Sequence, residues 1–119
     1  DNPIMVKCDS DRIGQVMQNL IINAIKYSDP DSEVVVRFTN VERNILIEIE
    51  DNGPGIAEKH ISRLFERFYR VDKSRARNEG GTGLGLSIVK HIIEAHGHTV
   101  QVISKEGEGS NFFFTLTKN

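Results

Sequence analysis

Cysteine is almost absent from this 119-residue chain: Cys8 is the only one, so no intrachain disulfide can form. No CxxC pair and no Cys/His ligand spacing accompanies it, which excludes a structural zinc and fits a reducing compartment, with the cytosol as the default. A surplus of one charge is also missing. Fifteen Lys and Arg stand against seventeen Asp and Glu, a net charge of -2, and no bulk field attracts nucleic acid or an anionic membrane surface. No apolar run approaches the roughly 20 residues that span a bilayer, and no signal peptide precedes the first element, so direct membrane insertion by this chain is not expected. Repeats and low-complexity tracts are lacking too. The length suits one domain with one core, over residues 1–119. Strand-like sequence begins within a few residues of Asp1, which reads as a domain of something longer.

What is present is patterned. "IMVKC" reads as a short strand, and "SDRIGQVMQNLIINAIKYS" as a helix capped by Asp9 or Ser10, with Ile13, Val16, Met17, Leu20 and Ala24 as its buried stripe. "SEVVVRFTN" and "NILIEIE" are β-branched runs separated by the polar "VER", a hairpin pattern in which Ile45, Ile47 and Ile49 alternate inward. "EKHISRLFERF" spaces Ile61, Leu64, Phe65 and Phe68 as a second amphipathic helix. Leu84, Ile88, Ile92 and Ala95 define a third, closed by Gly97. "TVQVIS" and "SNFFFTLT" read as closing strands. Between the second and third helices, "YRVDKSRARNEGG" has almost no apolar content, and a loop of that length is expected to be a functional lid or a disordered segment.

Eight of the ten glycines fall in three clusters, "DNGPGI", "GGTGLG" and "GEGS". Glycine lets a backbone approach a ligand closely, and a helix N-terminus adds partial positive charge suited to phosphate. "GGTGLG" before a helix offers both, although a tight loop with Thr82 as N-cap reads equally well from the residues alone. It is not a Walker-type loop, because no Lys-Ser/Thr pair follows the last glycine, and no strand immediately precedes it as a Rossmann turn requires. On the first helix Asn19, Asn23 and Lys26 project from roughly one face, opposite most of the apolar stripe. Neutral amide oxygens suit a Mg²⁺ ion that keeps waters and binds phosphates, and a lysine beside them can neutralise those phosphates; a solvated helix face is the alternative. Asp51 ends an apolar strand before two glycines flanking a proline, where an acid can form a turn or accept a hydrogen bond from an exocyclic amine.

"DRIGQVMQNLIINAIKYS", "DNGPGI", "LFERFYRVD", "GGTGLGLSIVK" and "GEGSNFFF" occur in a fixed order, that of an asparagine box, a first glycine box, a phenylalanine box and two further glycine boxes. In this the chain resembles the ATP-binding catalytic domain of bacterial sensor histidine kinases, within the wider family that includes gyrase and MutL ATPases. The resemblance runs from about Val6 to Leu116.

The resemblance implies ATP and Mg²⁺ as cofactors and assigns roles. Asn23 matches the asparagine that holds Mg²⁺, Asn19 the one a turn earlier beside the phosphates, and Lys26 a phosphate contact. Tyr27 is similar to the residue lying against adenine. Asp51 matches the carboxylate that accepts the adenine amino hydrogen bond, with Gly53, Gly55 and Ile56 lining the approach of the base. Arg70 is similar to the arginine that reaches the terminal phosphates, and Arg67 is a second candidate cation. Gly81, Thr82, Gly83, Leu84, Gly85 and Leu86 match the hinge and phosphate cradle, and Thr115 or Ser110 completes the adenine pocket. The implied catalytic set is Asn19, Lys26 and Arg70.

The implied fold is α/β, a two-layer sandwich of the Bergerat ATP-binding type: a mixed sheet of about five strands, three helices on one face, and a mobile lid from Tyr69 to Gly81. The implied partners are dimerisation and phosphoacceptor helices of the same kinase and the receiver domain of a response regulator, with this domain in the cytoplasm and the parent an inner-membrane sensor. The histidines His60, His91, His96 and His98 read as surface residues, and none lies in the family's phosphorylated H-E-[apolar]-[K/R]-T-P segment. Three activities remain to be separated. Hydrolases of the wider family use a glutamate at the position of Asn19 to activate water, and an amide cannot accept that proton, which favours phosphotransfer over hydrolysis. A nucleotide-binding regulatory module without catalysis is the third.

Overall fold

The sheet is built on one rule, that period-two alternation turns a strand's apolar residues to a single face. The computed structural model describes residues 5–6, 8–26, 31–67 and 85–118. The expected lid, Phe68, Arg70, Gly81, Thr82, Gly83, Leu84 and, elsewhere, Tyr27 lie outside the described residues. Strand β1 (Val34–Val41) pairs antiparallel with β2 (Asn44–Asp51), Val41 opposite Asn44, so a two-residue turn of Glu42 and Arg43 joins them. Helix α1 is Ser10–Lys26, α2 is Glu58–Ile61 and α3 is Gly85–Ala95, followed by β3 (Val100–Lys105) and β4 (Gly109–Thr117). Ile45, Ile47 and Ile49 of β2 and Phe112, Phe114 and Leu116 of β4 are buried on one face, against Val16, Leu20 and Ala24 of α1 and Val89, Ile92 and Ile93 of α3. This is a two-layer α/β sandwich, as expected.

Its sheet differs from the expected one. Among the described residues it has four strands in the order β1-β2-β4-β3, and every neighbouring pair is antiparallel. The crossover through α2 and α3 does make β2 and β3 run the same way, but β4 inserts between them, so no parallel pair is in contact. Within the expected first strand, described Val6 forms an antiparallel bridge to Lys118. The second helix is also shorter than its periodicity suggests. After Ile61 the chain continues in turns, with Arg63 N–H donating to His60 C=O at 3.0 Å and Glu66 N–H to Arg63 C=O at 3.0 Å, three residues back rather than four. Leu64 still reaches the core, and Phe65 meets Phe112 edge-on with ring centroids 6.2 Å apart.

Of the two expected caps for α1, Asp9 is the one used: its Oδ1 accepts the N–H groups of Asp11 at 3.1 Å and Arg12 at 3.2 Å. Its own N–H donates to His96 Nε2 at 3.0 Å, while His96 Nδ1 lies 2.8 Å from Ile92 C=O. That pairing makes His96 a tie between the start of α1 and the end of α3. Asp9→Ala removes the cap and is expected to lower stability by about 1 kcal/mol in urea denaturation. An unchanged midpoint there would show the cap to be idle. Gly97 (φ +78°) closes α3 and lets His98 N–H reach back to Ile93 C=O at 3.1 Å. The stripe of α3 is Val89, Ile92 and Ile93, with Ile88 half-buried and Ala95 exposed rather than central.

The expectation that every histidine sits on the surface fails for His98, which is half-buried. Its Nδ1 lies 2.9 Å from Thr115 Oγ1 and its Nε2 3.0 Å from Thr117 Oγ1, so it spans the outer face of β4. His96 and His60 are half-buried as well, and only His91 is exposed. The same outer face carries Arg37, 2.7 Å from Glu50 and 3.6 Å from Glu48, with Asn111 donating to Glu48 at 2.8 Å.

Candidate functional site

One end of the sheet's helix-facing surface turns from apolar to polar. Two residues along from the row Ile49, Phe112 and Val102, the cross-strand row is Asp51 on β2, Ser110 on β4 and Ser104 on β3. Asp51 is half-buried. Its Oδ1 accepts Gly53 N–H at 3.0 Å, the short Asx turn an acid at a strand end favours. Its carboxyl is held above the usual carboxylate range, chiefly because burial disfavours the charge and also because Glu50 is adjacent; the backbone N–H bonds from Gly53 and Ser110 oppose this without cancelling it. A carboxylate in that state gains from any further donor that approaches it.

The loop after Asp51 is clamped to the β3–β4 hairpin. Gly107 N–H donates to Pro54 C=O at 2.7 Å, and Ile56 N–H donates to Ser104 Oγ at 2.8 Å. Gly55 (φ +73°) lies so close to Lys105 that an added Cβ would stand 2.1 Å from its carbonyl oxygen. Gly55 therefore admits the neighbouring hairpin, a role the sequence reading did not give it. Gly53 is buried, while Ile56 is half-buried and packs against the core.

In the helix layer, α1 carries Asn19, Asn23 and Lys26, all half-buried. Asn19 Nδ2 donates to Gly85 C=O at 3.4 Å, which joins the polar face of α1 to the first turn of α3. The N-terminal part of α3, with its partial positive charge, thus lies beside Asn19. Gly85 opens α3, and Leu86 turns to the core rather than standing free, anchoring that end of the helix. Arg67 lies in the turns after α2 and is exposed.

Thr115 does not join this group. It is opposite Leu46 on the outer face of the sheet and is engaged by His98, so of the two residues considered for the pocket's completion, Ser110 is the one beside Asp51. Ser104 was missed. Its signal was a hydroxyl at an inward position of a strand, facing the "GEGS" cluster across a hairpin. Among the described residues no three His, Cys, Asp or Glu side chains gather as a metal cage. The donors available are amide oxygens, of the kind that complement a cation held mainly by phosphates and water. No described helix is long and apolar enough to cross a membrane.

The class is that of α/β-sandwich ATPases: the model for the family described as "Histidine kinase-, DNA gyrase B-, and HSP90-like ATPase" matches residues 8–119, and the chain belongs to that family. It is similar to the sensor histidine kinase WalK of Bacillus subtilis, 45% identical over 118 residues that make up 98% of this chain and 19% of that protein. The sensor protein SrrB of Staphylococcus aureus is 44% identical over 110 residues, 92% of this chain and 19% of its own length. The chain therefore spans about a fifth of these relatives. Among solved structures, the mycobacterial sensor histidine kinase MprB superposes with a TM-score of 0.84 at 33% identity, covering 96% of this chain and 77% of that one. Full-length ShkA in complex with AMPPNP superposes with a TM-score of 0.81 at 28% identity, covering 98% and 24%.

Proposed function

We propose that this domain binds ATP with Mg²⁺ and donates the γ-phosphoryl group to a histidine on the phosphoacceptor helices of a sensor kinase, for relay to an aspartate of a response regulator receiver domain. The observation that carries the reading is the contact of Asn19 with Gly85, which brings the amide face of α1 to the start of α3, with the half-buried Asp51 at the end of the facing sheet. Base and phosphate subsites then have separate walls. Asp51 accepts the exocyclic amine of adenine, and Gly53, Gly55 and Ile56 form the turn beside it. Asn19, Lys26 and, by resemblance, Arg70 face the phosphates, with Tyr27, Gly81, Thr82, Gly83 and Leu84 assigned by the same resemblance.

Asn23, one turn beyond Asn19, is the residue whose amide oxygen would hold Mg²⁺, with Asn19 beside it. The metal would neutralise phosphate charge. A neutral imidazole nitrogen of the acceptor attacks the γ-phosphorus, the bond to the β,γ-bridging oxygen breaks, and ADP leaves with that electron pair. The imidazole is already nucleophilic, so the domain's own residues need only orient and neutralise. Because residue 19 is an amide, it cannot take a proton from water, which supports transfer over hydrolysis. The names of the sensor-kinase relatives agree with that choice.

The test is to incubate the domain with γ-labelled ATP and Mg²⁺, with and without a separate phosphoacceptor domain. Label on the acceptor histidine supports transfer; free labelled phosphate alone makes the domain a hydrolase, and retained nucleotide with neither makes it a binding module. Asn23→Ala is expected to lose Mg²⁺-dependent binding and labelling together. If Mg²⁺-dependent labelling survives, Asn23 is not the metal's residue.

A further inference from the structure

We propose that Ser104 is a positioning residue of the nucleobase subsite: it fixes the direction of the Ser110 hydroxyl proton and thereby sets discrimination between an amino and a keto group at the purine 6-position. This rests on the nucleotide reading above.

A hydroxyl has one proton and two acceptor lone pairs. Ser104 Oγ has three neighbours: Ile56 N–H at 2.8 Å, which can only donate to it; Gly109 C=O at 3.0 Å, which can only accept from it; and Ser110 Oγ at 2.8 Å, which can do either. Once Ile56 fills one lone pair and the Ser104 proton goes to Gly109, the contact with Ser110 can only be a bond received from Ser110. All three distances are then satisfied at once. In any other arrangement the Ser104 proton leaves Gly109, and a carbonyl beside the 93%-covered Ser110 loses its side-chain donor.

The consequence falls on the next residue in the row. With its proton committed to Ser104, Ser110 offers only lone pairs toward the space it shares with Asp51, its cross-strand neighbour on β2. The Asp51 carboxylate receives backbone N–H groups from Gly53 and Ser110 and keeps further lone pairs, so it and the Ser110 oxygen stand as adjacent acceptors. Two acceptors side by side match an exocyclic amine, which has two hydrogens, directly or through a water. They oppose a keto oxygen, which has none. Ser104 reaches the ligand only through this arrangement, and it also holds the Ile56 backbone that carries the loop after Asp51.

The experiment measures dissociation constants of ATP and inosine triphosphate, each with Mg²⁺, for the wild type, Ser104→Ala, Ser104→Thr, Ser110→Ala and Ser104→Ala combined with Ser110→Ala. Removing Ser104 frees the Ser110 proton to turn toward a keto oxygen. The preference for ATP over inosine triphosphate is therefore expected to fall about tenfold in Ser104→Ala, the effect of one misdirected hydrogen bond. Ser104→Thr should restore it, since the hydroxyl is kept. In the double variant the preference should not depend on Ser104, because the hydroxyl it orients is gone. Equal weakening of both nucleotides in Ser104→Ala, or an unchanged ratio, reduces Ser104 to a structural bond and overturns the proposal. If Ser104→Thr is too bulky to fold, the comparison of the double variant with Ser110→Ala decides. Wild-type protein that binds neither nucleotide overturns the underlying reading as well, a different result from binding with unaltered preference.

Discussion

Gly109→Ala is expected to lower stability by more than about 4 kcal/mol, the range reserved for backbone strain and core disruption together. Two costs add at this position. The backbone has φ +102°, where a Cβ is strained whatever the space around it. The added carbon would also stand 2.1 Å from the carbonyl oxygen of Asp51 and 2.9 Å from the Cα of Asn52, and neither atom can swing aside as a side-chain tip would. Gly97→Ala supplies the control. Its φ is +78°, but nothing lies within 4 Å of the added carbon, so only the conformational cost of about 1–2 kcal/mol applies. Since a domain of this kind has a total stability of about 5–15 kcal/mol, Gly109→Ala should lose much of it or fail to fold at 37 °C, whereas Gly97→Ala should fold normally. Urea denaturation of the two variants separates them. Values within about 1 kcal/mol of each other would mean that β4 can move off the Asp51 carbonyl, and that the clamp between loop and hairpin is soft.

That clamp is also where sequence reading reached its limit. The stripe of α1 and the alternation of β2 follow from local periodicity, and so Val16, Leu20, Ile45, Ile47 and Ile49 were legible as core before any fold was known. Asp51 and the Asn19 face were legible for a similar reason, because an acid before a glycine pair and two amides four residues apart are local patterns. Ser110 against Thr115 was not. The run Phe112-Phe113-Phe114 is apolar on both faces of β4, which hides the alternation, and a slip of one residue exchanges the faces. Only the pairing of β4 with β2 shows that Ser110 shares a side with Asp51. Ser104 depends on a second pairing, β3 with β4, and on a single hydroxyl whose three partners come from separate segments. The antiparallel order β1-β2-β4-β3 of the described strands likewise depends on where β4 inserts, which no local pattern encodes.

Asp51→Asn is expected to uncouple stability from ligand response, leaving the free domain as stable as the wild type or more so at pH 7 while removing most of the stabilisation by ATP. The sign follows from the direction of the Asp51 shift. Its folded-state pKa is raised, chiefly by burial, so between the unfolded value of about 4 and the folded value the native state binds more protons than the unfolded one. Stability therefore declines as pH rises through that window, and at neutral pH the ionised carboxylate is a net cost to the free domain. Asparagine removes the charge and keeps an oxygen for Gly53 N–H, the bond Asp51 Oδ1 now accepts at 3.0 Å. The ligand has the opposite interest, because a donor amine favours the ionised form. Losing that charge-assisted bond costs about 1.5–3 kcal/mol, or roughly 10- to 150-fold in affinity. At an ATP concentration about 100 times the wild-type dissociation constant, ligand stabilisation of about 2.7 kcal/mol should then fall to about 0.3–1.3 kcal/mol. The same linkage makes wild-type ATP affinity fall as pH drops through the raised Asp51 pKa. The phosphates and adenine titrate too, but they do so equally in both proteins, so the ratio of wild-type to variant affinity isolates the carboxylate. That ratio should shrink toward acid pH. Thermal unfolding with and without Mg-ATP across pH reads both quantities, and a variant that is destabilised when free yet still answers ATP as the wild type does would remove Asp51 from the nucleobase site.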